Sequence, residues 1–127
     1  MIDQGRTPPG WPRELASPGT SEFADRVVPW LLDQGPPDLR TSALRTLPLA
    51  LVRYLIHYAE GGLNGARKAY GQARVELSPR LTPAELATAQ QGFEAAGARF
   101  LQLRRELALV EAALLGLAVT DPPAARG

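Results

Sequence analysis

Two stretches of sequence decide the fold of this chain: residues 49–77, LALVRYLIHYAEGGLNGARKAYGQARVEL, and residues 86–117, LATAQQGFEAAGARFLQLRRELALVEAALLGL. In both stretches apolar residues recur at alternating steps of three and four, the spacing of helices that pack along a shared seam. The first series is Leu49, Val52, Ile56, Ala59, Leu63, Ala66, Tyr70, Ala73 and Leu77, and the second is Leu86, Ala89, Phe93, Ala96, Phe100, Leu103, Leu107, Val110, Leu114 and Leu117. We therefore expect two long helices packed against each other.

A short turn at residues 78–81 would fold the second series back onto the first. Antiparallel packing then brings together Leu63 with Phe100, Ile56 with Leu107, Ala66 with Ala96, and at the edges of the seam Arg53 with Glu111 and Glu60 with Arg104. Alanine at every seventh position resembles the Ala-coil, a close-packed antiparallel helix pair that is a structural motif and not a family. The predicted fold class is all-α, with a long antiparallel hairpin of coiled-coil or Ala-coil type.

The bounds of the long helices follow from local signals. The first is predicted over residues 46–77, because Pro48 then lies in the first turn, where its missing N–H costs nothing. The second is predicted over residues 82–119, opened by the capping box Thr82-Pro83-Ala84-Glu85. A break at Gly61-Gly62 is the alternative for the first helix, since each interior glycine costs roughly 0.8 to 1 kcal/mol relative to alanine. The heptad phase passes through these glycines unchanged, which favours one unbroken helix.

The segments that flank the hairpin are expected to contain little regular secondary structure. Residues 1–19 are rich in proline and glycine, which predicts an extended arm, and Trp11 is expected to pin this arm onto the body of the protein. Residues 20–119 are predicted to form a single helical domain, and residues 120–127 a flexible tail.

One or two short helices are predicted within residues 20–45. The first should begin after Thr20 or Ser21 and be kinked or ended by Pro29. It presents one apolar face, which consists of Phe23, Val27 and Leu31 with Trp30 and Leu32 beside it. A second short helix is expected from residue 38 to residue 45.

Apolar residues outside the seam suggest a partner. Those at the open end of the hairpin are Leu47, Leu51, Leu55, Tyr58, Leu101, Leu109, Leu115 and Val119. A short helix interrupted by proline is too small to cover them all, so we expect a homodimer, most simply a four-helix bundle. A smooth flank of small residues offers a second contact region. The predicted dimer contacts are Leu51, Leu55, Tyr58, Gly62, Ala69, Gly92, Leu101, Leu109 and Leu115.

Composition excludes several kinds of site. The chain has no cysteine, which rules out disulfides and thiolate metal sites and favours a cytoplasmic location. Its net charge of +1 gives no overall attraction to nucleic acid. No stretch reaches the roughly 18 apolar residues of a membrane helix. The N-terminus has no basic region followed by an apolar run, so no signal peptide is predicted.

No motif points to catalysis. His57 is the only histidine, and no serine or cysteine nucleophile pattern accompanies it, so a partly covered surface histidine is the favoured interpretation. The acidic residues are dispersed singly, without the paired spacing of helical metal enzymes. We expect no catalytic residue, no metal ligand and no cofactor.

One basic cluster offers the alternative of nucleic-acid binding. It consists of Arg67, Lys68, Arg74 and Arg80, which are candidates for contact with phosphates. A helix-turn-helix broken at the paired glycines is the sharper form of this idea, and the unbroken heptad phase argues against it. The sequence thus favours a helical self-association and protein-interaction module that binds another protein. A nucleic-acid-binding dimer is the alternative, and a small helical enzyme is the least favoured.

Overall fold

A computed structural model describes residues 7–120 of the chain, and the side chains of residues 7–116. Three α-helices account for most of this range: α1, Ser21–Asp33; α2, Pro48–Leu77; and α3, Pro83–Thr120. Two short 3₁₀-helices, Pro37–Thr41 and Ala43–Thr46, connect α1 to α2, and no strand occurs between residues 7 and 120. The all-α class and both long helices are confirmed. Residues 1–6 of the predicted arm and residues 121–127 of the predicted tail lie outside the described range.

The helix α2 runs through its glycines without a break. The alternative break at Gly61-Gly62 is therefore wrong, and so is the helix-turn-helix that depended on it. Burial explains the result, because Ala59 and Leu63 on either side of the glycines are almost fully buried. Packing of this kind outweighs a cost of roughly 0.8 to 1 kcal/mol for each interior glycine.

The start of α3 has the predicted capping box. The backbone N–H of Glu85 donates to Thr82 Oγ1 at 3.1 Å, and the backbone N–H of Thr82 donates to Glu85 Oε1 at 2.9 Å. Pro83 occupies the first helical position, where no N–H is needed. Two donors that the helix itself cannot satisfy are thus paired, which fixes where α3 begins.

The helix α1 begins and buries its side chains as predicted, but it does not end at Pro29. Thr20 Oγ1 accepts a hydrogen bond from the N–H of Phe23 at 3.1 Å, and the buried residues are Phe23, Val27, Trp30 and Leu31. The helix continues through Pro29 to Asp33. Pro29 and Asp25, whose carbonyl loses its usual donor, are both exposed residues, so water can replace the missing bond.

The second predicted short helix is also different in the structure. Two 3₁₀-helices replace a single helix over residues 38–45, and Ser42 between them has an extended backbone. Its hydroxyl accepts a hydrogen bond from the N–H of Leu44 at 3.1 Å. Serine competes in this way for backbone donors, and this bond favours a new turn over continuation of the helix.

The chain divides into two compact units. The first unit contains the residues up to Ile56 and those from Arg105 onward, and the second unit is His57–Arg104. Both α2 and α3 contribute a segment to each unit. The second unit carries the candidate site.

Trp11 holds the N-terminal arm in the first unit, as predicted. Its side chain is only 8% exposed, and its ring centroid lies 5.7 Å from that of Phe23. The indole N–H donates to the carbonyls of Leu15 at 3.0 Å and Ala16 at 3.2 Å. The ring is thus buried with its one polar atom satisfied, which is the condition for burying a tryptophan without penalty.

The arm and the loop after α1 also cover apolar residues of the long helices. Leu51 and Leu55 are fully buried, and a methyl group added at Gly35 would lie 2.8 Å from Leu55 Cδ2. A methyl group added at Gly10 would lie 3.7 Å from Leu109 Cδ1. The expectation that the chain offers too little apolar surface to cover these residues is therefore wrong for Leu51 and Leu55, because it counted only the α1 helix.

The seam of the first unit contains the predicted ion pair. Arg53 Nη1 lies 3.0 Å from Glu111 Oε2 and 3.2 Å from Glu111 Oε1. This pair joins α2 to α3 in the predicted antiparallel register, and Val52 and Val110 beside it are fully buried. The other predicted pair, Glu60 with Arg104, stays a prediction.

Candidate protein-binding groove

The second unit is built around the contact between Phe100 and a turn of α2. A methyl group added at Gly62 would lie 2.5 Å from two carbons of the Phe100 ring. The same ring meets Tyr58 edge-on, with centroids 6.1 Å apart and planes at 75°. Leu63, the predicted partner of Phe100, follows Gly62 and is buried. Phe100 therefore occupies the space that the missing side chain of Gly62 leaves.

This contact bears on the role predicted for Gly62 in the dimer. The sequence placed Gly62, Ala69 and Gly92 on a smooth flank that another helix could approach. In the structure the Phe100 ring packs against Gly62, which is half-buried and keeps part of its surface exposed. Ala69 is half-buried and Gly92 is exposed. The heptad pattern does not specify how far a large ring leans across the seam, and contact of this flank with a partner stays a prediction.

An open groove lies between α2 and α3, with a volume of about 370 Å³. Its lining residues are Leu63, Arg67 and Tyr70 on α2, and Phe93, Glu94, Gly97, Ala98 and Leu101 on α3. Residues three and four apart lie on one face of a helix. The spacing of both sets therefore places each on a single stripe.

Gly97 forms the floor of the groove. It is buried, and a methyl group added there would lie 3.6 Å from Ala66 Cβ and 3.7 Å from Leu63 Cδ1. Because neither Gly97 nor Ala66 has a large side chain, nothing from this level of the seam fills the groove. The close approach also shows that Gly97 is level with Ala66, next to the predicted partner Ala96.

The walls of the groove are apolar. Tyr70 is 44% exposed, although the heptad pattern placed it inside the seam, and Phe93 and Leu101 are half-buried. The Tyr70 ring therefore lies at the edge of the groove, where its apolar face can be covered by a partner.

One charge of each sign lines the groove. Arg67 on α2 and Glu94 on α3 are both exposed. Neither makes an ion pair with another residue of the described range. The groove is therefore an apolar strip with a positive charge on one helix and a negative charge on the other.

The four residues of the basic cluster are all exposed, but they do not form one stripe. Arg67 and Arg74 are two turns apart on the same face of α2, whereas Lys68 is displaced by about 100° around the helix. Arg80 lies in the turn before α3. None of the four forms an ion pair with another described residue, so the cluster keeps its positive charge at the surface.

The structure brings few of the predicted dimer contacts together. Leu101 lines the groove, and Tyr58 packs on Phe100 in the same unit. Leu109 and Leu115 belong to the first unit, where Leu115 is 48% exposed. The sequence reasoning did not assign Tyr70, Phe93, Gly97 and Ala98 to a groove. The signal that could have found them is Leu101, which lies outside the heptad series one turn from Gly97 and Ala98.

His57 lies outside the groove. Its Nδ1 is 3.3 Å from Glu60 Oε1, one helical turn away, and both side chains are exposed. Within the part of the chain that the structure describes, no three His, Asp or Glu side chains are grouped so that they could hold a metal ion. None of the described helices is long and apolar enough to cross a membrane.

No protein-family model matches this sequence, and the comparisons found neither a similar curated protein nor a similar solved structure.

Proposed function

We propose that the chain is a helical self-association and protein-interaction module without catalytic activity, and that the groove of the second unit is its binding surface. The observation that carries the proposal is the groove itself, an open apolar strip on a frame of two packed helices. Grooves of this kind bind the apolar face of a helix, which inserts side chains spaced by one turn.

The residue types of the groove suit this role. Tyrosine and phenylalanine supply large contact areas at a low entropic cost, and tyrosine is enriched at sites that dominate binding energy. Tyr70, Phe93 and Leu101 each keep part of their surface exposed in the free chain. At roughly 25 cal/mol per Å² of apolar surface removed from water, covering these three side chains favours a complex.

Two alanines on α3 provide a matched test. Ala98 lines the groove and Ala95, less than one turn away, is exposed but does not. A photo-crosslinking amino acid can be placed at either position, and the two proteins added to an extract of the native cell. We expect discrete crosslinked protein products from position 98 and not from position 95.

The products distinguish the possible outcomes. A crosslinked band of twice the chain mass of 13.7 kDa would identify a second copy, and any other mass would identify a different protein partner. Equal crosslinking from both positions, or none from position 98, would contradict the groove as the binding surface.

A nucleic-acid-binding dimer is the second candidate function. The observation that favours it is the exposure of Arg67, Lys68, Arg74 and Arg80, without a described acidic partner for any of them. Contact of all four with phosphates would give a plot of log K against log salt with a slope of about −3.6 for duplex DNA and about −2.8 for single strands. Fluorescence anisotropy of labelled DNA and RNA at several salt concentrations measures this slope.

Lys68 and Arg74 separate the two candidate functions, because neither lines the groove. The variant Lys68→Ala/Arg74→Ala should reduce the salt dependence of nucleic-acid binding by about two counterions if the cluster binds phosphates. The same variant should leave crosslinking from position 98 unchanged. Absence of salt-dependent binding by the wild-type chain would contradict the second candidate function.

A further inference from the structure

We propose that the partner that occupies the groove is a second copy of this chain, related by a twofold axis parallel to α2 and α3 of the second unit. This inference rests on the proposed function, because it names the occupant of the same groove. Two grooves facing each other would form a four-helix bundle, in which α2 of each copy lies over α3 of its partner.

The charges on the groove support a second copy as the occupant. Gly97 lies beside Ala66, so Arg67 on α2 and Glu94 on α3 are level to within one helical turn of about 5.4 Å. A surface with opposite charges at one level on opposite sides is complementary to itself under the proposed rotation. Each Arg67 would lie over a Glu94 of the other copy, and the complex would contain this ion pair twice.

The same charges disfavour the other face-to-face arrangement when the two grooves overlap fully. A twofold axis perpendicular to the helices would stack α2 on α2 and α3 on α3. Arg67 would then lie near its own symmetry mate, and so would Glu94, which places like charges in contact. The parallel axis instead places each Arg67 over a Glu94, so that opposite charges meet at both positions.

The apolar walls match under the same rotation. Tyr70 and Leu63 line the groove on α2, and Phe93 and Leu101 line it on α3. The proposed axis keeps each residue at its own level, and Gly97 lies beside Ala66. Tyr70 of one copy would therefore lie over Phe93 of the other, and Leu63 over Leu101. The floor at Gly97 leaves the space into which they insert.

Charge reversal tests the axis. The variants Arg67→Glu and Glu94→Arg each replace two attractive contacts by two repulsive ones, whereas an equal mixture of the two restores both contacts in a heterodimer. Sedimentation equilibrium of the full chain over a range of concentrations measures the dimer dissociation constant. We expect each single variant to raise this constant by about tenfold or more and the mixture to return it close to the wild-type value.

The mixture is the decisive sample, because an ion pair within one chain cannot be restored by mixing. Thermal unfolding of each variant, followed by circular dichroism, shows whether the variant is folded. If a single variant does not fold, the double variant Arg67→Glu/Glu94→Arg takes its place, because its symmetric dimer restores both ion pairs. A wild-type chain that stays at 13.7 kDa at all concentrations overturns the inference, while crosslinking from position 98 to a different protein would leave the proposed function intact. A dimer that neither single variant weakens also overturns the inference, since it would use another surface.

Discussion

Substitution of Gly62 by alanine has two opposing effects on stability: alanine has the higher helix propensity, but its methyl group must be packed. An interior glycine replaced by alanine stabilises a helix by roughly 0.8 to 1 kcal/mol. At Gly62, however, the new methyl group would lie 2.5 Å from two carbons of the Phe100 ring. The ring must move out of the space that it fills, and overpacking of this kind costs roughly 1 to 3 kcal/mol.

Gly61 is the matched control, because it is the adjacent residue of the same helix and a methyl group there meets no atom within 4 Å. The variant Gly61→Ala should gain the full helical contribution. The variant Gly62→Ala should range from unchanged to about 2 kcal/mol less stable, so the two differ by roughly 1 to 3 kcal/mol.

Urea unfolding at one fixed protein concentration measures the free energy of unfolding of both variants. The comparison requires that the slope of this free energy against urea is the same in each variant. In a Phe100→Leu background the smaller side chain removes the overlap, and Gly62→Ala should then stabilise the protein as Gly61→Ala does. Equal stabilisation by the two single variants in the wild-type background would refute the position assigned to Phe100.

Three further substitutions test other parts of the fold. Ala66→Leu places a large side chain at the seam level of Gly97 and should destabilise the protein by roughly 1 to 3 kcal/mol in urea unfolding; an unchanged midpoint would mean that the helices do not approach closely there. Thr82→Ala removes the hydroxyl that accepts the Glu85 N–H and should cost about 0.5 to 2 kcal/mol in the same assay. Trp11→Ala removes a buried ring from the first unit and should lower stability by roughly 3 to 5 kcal/mol. Limited proteolysis should then cut the arm faster, and an unchanged rate would show that the arm is not held by this ring.

The parts of the fold that the sequence predicted are those with a periodic or local signal. The two long helices extend over many turns, so the heptad spacing identifies them even across the glycines of α2. The capping box depends on four adjacent residues, and its geometry in the structure at Thr82 and Glu85 is the one the sequence predicted. The Arg53–Glu111 pair follows from the register alone.

The parts that the sequence did not predict depend on irregular segments. Leu55 is covered near Gly35, in a loop whose residues carry no periodicity. Pro29 was predicted to kink or end α1, but the helix continues through it, because Pro29 lies on the exposed side, where water can replace the missing bond. Such features depend on tertiary packing rather than on local preference.

The candidate groove was predicted only in part. Leu63 and Phe93 were predicted on the seam, and Arg67 was predicted as a surface cation, but the pattern did not show that they line one groove. The rotation of each helix about its own axis decides this, and small side chains at Ala66 and Gly97 set that rotation by allowing close approach. Heptad phase alone specifies the seam to within one residue, which is too coarse to place Tyr70 inside or outside it.

The groove depends on the register of α2 against α3. The most direct test of this register is to detect the contact between Gly62 and Phe100 in solution. In a proton nuclear Overhauser spectrum, the α-protons of Gly62 should show cross-peaks to the ring protons of Phe100 and resonances shifted by the ring current. The Phe100 ring should also give cross-peaks to the Tyr58 ring, since their centroids are 6.1 Å apart. Absence of the Gly62 cross-peaks, or their replacement by cross-peaks from Gly61 or Gly65 to Phe100, would contradict the register of α2 against α3.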